Sequence, residues 1–262
     1  PLALWPDGIA TPGMWISPRT LTSEWQDYTG TTPVGVPGTV ADSSNPVGLA
    51  LDIRAGATVL TDPGNHMLQS TSAARPLVSA YDGQTLGPGD TYDVTDYPVF
   101  QLYDGVDDGM ATAAFAAGTL IDGMDCMIAV RRDSGAACVA GLYTGAGVFF
   151  GAASTDIWTC HSGVGTPTVY VDSTQVPGGT AVTAVDLNAA LTVYNSTTPD
   201  GWHILEFRGL NLSAWTVAKF GEYGSGFSFN GARGDIFLYP STTPTEDKDA
   251  ARQYLADYYG VT

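Results

Sequence analysis

Basic residues are scarce. Ten Lys and Arg stand against 27 Asp and Glu, a formal net charge of −17. So few cations cannot displace the counterions of a phosphate backbone, which excludes nucleic acid as a partner. Charged residues of both signs make up only 14% of the chain against 44% hydrophobic, which excludes a disordered polyelectrolyte. Long apolar runs are missing, so no segment reads as a membrane span. The start, Pro1-Leu-Ala-Leu-Trp-Pro-Asp7, has no basic region ahead of an apolar core, and the expectation is a chain made in the cytosol without an export signal. On that expectation Asn195-Ser-Thr197 and Asn211-Leu-Ser213 are chance matches to glycosylation acceptors.

Cysteine is equally sparse. Cys126, Cys138 and Cys160 are odd in number and form no CxxC pair, which excludes a disulfide framework and a zinc ribbon. Cys126 and Cys138 lie in apolar strand-like segments, where a free thiol is a small buried hydrophobe, and a reducing compartment suits them. His66, His161 and His203 are the histidines, and none stands in His-x-x-x-His spacing. Each reads as a hydrogen-bonded loop or strand residue. The glutamates, Glu24, Glu206, Glu222 and Glu246, are far apart. A glycan-degrading β-sandwich needs carboxylates alternating along one strand as nucleophile and acid–base pair, and no strand here offers them. A Gly-x-Ser-x-Gly elbow is also missing. The expectation is a protein that is not an enzyme, with no catalytic residue and no cofactor-binding residue.

What is abundant is glycine and proline, 32 and 16 residues, the composition of short strands and tight turns. Up to residue 99 prolines recur often enough to argue against long helices and central strands, and this region reads as an irregular wrap. Trp5, Trp15 and Trp25 recur there every ten residues and read as anchors onto a core. From 100 to 240 the pattern is strand and turn. Met127–Arg131 and Cys138–Tyr143 flank the turn Asp133-Ser-Gly135, and Gly147–Phe150, Thr168–Val171, Ala190–Tyr194 and Trp202–Phe207 follow. Period-two alternation places Trp202, Ile204 and Glu206 on one face and His203, Leu205 and Phe207 on the other, so this strand reads as central.

The end of the chain is the most legible part. The strand-like Gly231–Pro240 runs into a helix over 243–260. Thr243-Pro-Thr-Glu246 reads as a capping box with Pro244 in the first turn, Gly260 as the stop, and Ala250, Ala251, Tyr254, Leu255 and Tyr258 as one apolar stripe. Two constellations are candidates for binding. Asp104-Gly-Val-Asp-Asp108 gathers three carboxylates, a set that can hold calcium but that lacks the ordered ligands of a dedicated loop, so a tight polar turn is the favoured reading. Trp158 and Tyr223 lie among glycines, where an exposed ring can stack on a sugar, although core packing is the commoner fate.

Taken in order, Gln101-Leu-Tyr-Asp-Gly-Val-Asp-Asp108, Gly201-Trp-His-Ile-Leu-Glu-Phe-Arg208, Gly231–Pro240 and the closing Tyr254-Leu-Ala-Asp-Tyr-Tyr-Gly-Val261 resemble the concanavalin A-like, laminin-G-like jelly-roll domains of bacteriophage virion proteins. Trp15–Arg19, Trp25–Pro33 and Gly64–Pro76 are similar to the lead-in that phage tail and fibre proteins carry before this domain. The resemblance spans nearly the whole chain. It implies an all-β fold, a concanavalin A-like jelly-roll β-sandwich with an irregular N-terminal segment and a short C-terminal helix, in a single domain over 1–262. It further implies a non-enzymatic virion structural protein, a tail-fibre, receptor-binding or head-decoration component. Its partners would be other virion proteins, further copies of itself and host-surface carbohydrate, and its location the virion, after synthesis in the host cytoplasm. The family usually carries a glutamate in its penultimate strand where this chain has Asp235, so no metal or sugar ligand set is carried over. The alternatives are a glycan-degrading β-sandwich enzyme and a secreted bacterial lectin or adhesion module.

Overall fold

A computed structural model describes residues 2–20, 23–32, 34, 46–55, 57–80, 98–115, 119–133, 143–144, 147–148, 151–152, 158–159, 165, 167–176, 201–221 and 229–261. Its strands are β1 (Met14–Ile16), β2 (Glu24–Trp25), β3 (Leu49–Ala50), β4 (Met67–Leu68), β5 (Leu77–Ala80), β6 (Val99–Asp104), β7 (Met110–Thr112) and β8 (Asp122–Arg132). There follow β9 (Tyr143–Thr144), β10 (Gly147–Val148), β11 (Gly151–Ala152), β12 (Trp158–Thr159), β13 (Thr168–Val171) and β14 (Thr174–Gln175). The last are β15 (Trp202–Asn211), β16 (Lys219–Phe220) and β17 (Asn230–Pro240), and the chain ends in the helix α1 (Thr245–Tyr259).

Two antiparallel sheets carry the fold. The large one runs β14-β13-β15-β8-β17-β6-β5, with β1 added to the second half of β17. The small one runs β10-β9-β16-β7-β4-β3-β2, and β11 and β12 form a separate pair. The long strands β8, β15 and β17 lie side by side because their side chains are apolar on both faces. One face, with Ile128, Leu205, Phe207, Ile236 and Leu238, packs on Ala50, Met67, Met110 and Phe220 of the small sheet. The opposite face, with Met127, Ile204, Phe237 and Tyr239, is covered by Trp5, Trp15 and the helix residues Ala251, Leu255 and Tyr259. The molecule is therefore an all-β sandwich with a third, partly helical layer laid over one sheet.

Several expectations hold at residue level. β15 sits between β13 and β8, a central position, and its two faces divide as alternation demands. Cys126 is a buried free thiol in β8, which further burial-driven desolvation holds well above its ordinary pKa. Trp5 and Trp15 are buried and stacked, with ring centroids 5.8 Å apart. Trp25 is only half-buried, in a small cluster with Leu49 and Leu51. Gly260 ends the helix in the left-handed region, φ 69°, where the Val261 N–H reaches back to the Ala256 carbonyl.

Others need correction. The prolines of the first hundred residues do not exclude interior strands: β3 and β4, two residues each, lie inside the small sheet, fitted between Pro46, Pro63 and Pro76. The capping box does not form. Pro244 has extended ψ, 146°, and its carbonyl accepts from both Asp247 and Lys248, so the helix starts one residue later than the motif implies and no side chain caps it. Lys248 fixes that first turn, donating to Asp125 and to the Ser241 carbonyl at 2.8 Å each. Ala250 is exposed; the buried stripe is Ala251, Leu255 and Tyr259, flanked by half-buried Tyr254 and Tyr258. Of the other predicted positions, residues 134–142, 149–150 and 190–194 lie outside the described residues, as do Cys160, His161 and Tyr223.

Candidate functional site

The outer face of the small sheet carries the site. Alternation turns Met67, Met110 and Phe220 inward to the core, and so turns Leu68, Ala111 and Lys219 outward. Lys219 pairs with Ala111, and Ala111 with Leu68, making one row across three strands. Over this row lies a groove of about 420 Å³, lined also by Tyr28, Gln69, Ser70 and Gly109 and reached by Met110, Thr112 and Phe220 of the same strands. Its size falls in the lower part of the range of small-ligand sites, about 300–1,000 Å³. Gln69 is held in the wall by its own bonds, Nε2 donating to the Gly109 carbonyl at 2.8 Å and Oε1 accepting from the Thr71 amide.

The acidic turn adjoins the groove through Gly109. Carboxylate oxygens of Asp104, Asp107 and Asp108 lie within 4.8 Å of one another, the one cation-capable cluster among the described residues. Two are already acceptors within the turn, Asp104 Oδ1 from the Val106 amide at 2.7 Å and Asp108 Oδ2 from the Asp104 amide at 2.8 Å. Burial pushes the Asp108 carboxyl up to about 7, against the pull of the Asp104 N–H and helped by the charges of Asp104 and Asp107. The polar-turn reading thus describes its hydrogen bonding.

The other acidic groups hold crossings between segments. Glu206 is buried and accepts from Arg208 Nε at 2.7 Å and from Arg252 Nη2 of the helix at 2.8 Å. Asp125 accepts from Lys248 and from the Gly209 amide. Asp52 takes the Arg54 fork together with the Trp15 and Asn65 amides. Asp235 is buried between the Trp15 indole N–H, 3.0 Å, and the Tyr259 hydroxyl, 2.9 Å; burial raises its pKa although these donors oppose the rise. Between the two sheets, Gln101 donates to Glu24 through Nε2 and accepts through Oε1 from Tyr103 and Arg233.

Two histidines are placed. His66 Nδ1 accepts the Asp52 amide, 2.9 Å, and Nε2 donates to the Asp62 carbonyl, 2.8 Å, so both nitrogens serve the loop. His203 Nδ1 meets Asp172 Oδ2 at 2.6 Å, and Asp172 Oδ1 also accepts the Ile204 amide. That pair pins the β13–β14 turn onto β15. The sequence hides it, because 31 residues separate the partners. Of the aromatic candidates, Trp158 is in β12, and Tyr28, not singled out from the sequence, is the ring the structure brings to the groove. Its signal was a lone aromatic in a run of Asp, Thr and Gly, which is also the signature of an ordinary turn.

No family model matches this chain, and no curated protein or solved structure is significantly similar to it.

Proposed function

We propose that this chain is a non-enzymatic structural protein of a bacteriophage virion, a tail-fibre, receptor-binding or head-decoration component built as a concanavalin A-like jelly roll. It assembles with further copies and with other virion proteins, and its open groove meets host-surface glycan. The ordered resemblance of four segments supports the virion context. The observation that carries the non-enzymatic part is the employment of the acids: Glu206, Asp125, Asp52 and Asp235 each bind donors from two or more separate segments, which fixes the packing of helix, N-terminal segment and sheets. The reading invokes no cofactor.

A hydrolytic reading draws on one observation, the raised Asp108 carboxyl beside the groove. Against it, Asp108 is 4% exposed, is bonded to the Asp104 amide and is not among the residues that line the groove. The test is to express the chain with the remaining particle proteins and measure its stable incorporation and oligomeric mass, alongside reducing-sugar release from glycans. Incorporation without sugar release is the expected result. Failure to enter particles, or sugar release abolished by Asp108→Asn, would overturn it.

A further inference from the structure

The large apolar side chains most exposed among the described residues are Tyr28, at 45%, Val59 and Val106, and Tyr28 is the aromatic one. Its backbone is fixed more firmly than an ordinary surface loop. The Asp27 carboxylate accepts from the amides of Thr29, 2.9 Å, Thr31, 3.2 Å, and Thr32, 2.6 Å, and from the hydroxyls of Thr29 and Thr31. Slight burial works to raise the Asp27 pKa, but these donors outweigh it and hold the carboxyl far below the usual range. From below, Gly48 packs so closely that a Cβ there would stand 2.6 Å from the Asp27 carbonyl carbon and 2.7 Å from the Tyr28 nitrogen. Arg75 Nη1 donates to the Gln26 carbonyl at 3.0 Å and closes the base of the loop.

A half-exposed ring on a backbone held this way is preorganised, so little ordering entropy remains to be lost when a flat partner lies on it. The groove beside it offers apolar floor, Leu68 and Ala111, with Ser70, Lys219 and the Gly109 backbone at the margin. This is the division of a pyranose ring, an apolar C–H face edged by hydroxyls. The net charge of −17 and the adjoining Asp107 and Asp108 disfavour an anionic polymer.

Resting on the glycan-contact reading above, we infer that this groove is a binding site for neutral oligosaccharide, with Tyr28 as the stacking platform, Leu68 and Ala111 as its floor and Lys219 at its margin. The test is saturation-transfer NMR on the purified chain with a panel of neutral trisaccharides: maltotriose, cellotriose, mannotriose and triacetylchitotriose. At least one should bind the wild-type chain with millimolar affinity. Tyr28→Ala should weaken that binding about tenfold, the scale of a lost stacking contact, and Tyr28→Phe should restore most of it. Ala111→Arg, which fills the floor from an outward position, should abolish it, with circular dichroism and thermal unfolding confirming that each variant folds. No binding by the wild-type chain to any member at about 10 mM, or binding indifferent to both Tyr28→Ala and Ala111→Arg, overturns the site. Particle incorporation of the wild-type chain is scored separately, so a failed sugar site and a failed virion assignment give different results.

Discussion

Arg233 and Asp235 stand two residues apart on β17, yet they enter opposite faces of the large sheet. Arg233 reaches inward to Gln101 and lies over Phe220, while Asp235 meets Trp15 and Tyr259 under the helix. A regular strand would put both on one face. The cause is a bulge: Arg233 pairs with Val130 and Ile236 with Ile128, so three steps on β17 answer two on β8. One extra residue thus sends a cation into the core between the sheets and an anion to the junction of both chain ends. It also divides β17 into a half paired with β6 and a half paired with β1.

Gly234 lies within the bulge, under the Tyr259 ring. A Cβ there would lie 2.3 Å from the Tyr259 ring. Gly234→Ala should therefore lower stability by about 1–3 kcal/mol through overpacking. Denaturant unfolding should show this, and Gly234→Ala combined with Tyr259→Ala should be less destabilised than the sum of the two single changes.

Trp15 is the donor that ties the N-terminal segment to Asp235. Trp15→Phe keeps a ring against Phe237 and Trp5 but deletes the indole N–H, leaving a buried carboxylate one donor short. The expected cost is about 1–3 kcal/mol. Hydrogen exchange should report it as faster exchange at residues 14–16 and in the last turns of the helix, with β15 less affected.

The β13–β14 hairpin turns on Asp172 and Ser173, both left-handed, φ 49° and 67°. Asp172 is held there by the Ile204 amide and His203, whereas Ser173 is exposed at the turn and bears the strain of a Cβ in this region. Ser173→Gly should stabilise the protein by about 0.5–1 kcal/mol and Ser173→Val should destabilise it, read as opposite shifts in Tm.

How much of this was legible in the sequence follows from length of pattern. β15, β17 and the helix carry ten or more residues of periodic apolar side chains, enough to reveal them. Strands such as β3 and β4 are two residues long and have no period to read, so the small sheet, and the groove on it, stayed hidden among prolines. The bulge at Gly234 was concealed for the opposite reason, since the run Gly231–Pro240 looks like regular strand. Capping chemistry misled because Thr243-Pro-Thr-Glu246 satisfies a local rule, while Lys248 and Asp125, 123 residues apart, decide where the first turn sits. The core network of Glu24, Gln101 and Arg233 is likewise a long-range arrangement that no local window contains.

That network makes stability depend on pH. Burial raises the Glu24 carboxyl from an ordinary 4.5 to about 7, against the lowering by Arg233 and the Gln101 hydrogen bond and with a small push from Asp235. Tyr103 faces the same pocket, its hydroxyl bonded to Gln101. The folded chain therefore holds this proton more tightly than the unfolded chain does. The resulting stabilisation is present in full below about pH 4.5 and is lost as pH rises to about 7. A shift of this size corresponds to a loss on the order of 3 kcal/mol. Asp108 titrates in the same direction, so the wild-type profile alone does not isolate Glu24. Glu24→Gln removes its contribution while keeping an amide oxygen for Gln101, and should flatten the decline in unfolding free energy between pH 5 and pH 8. Glu24→Gln together with Asp108→Asn should flatten it further, whereas a profile as steep in Glu24→Gln as in the wild type would mean that Glu24 stays ionised beside Arg233 throughout.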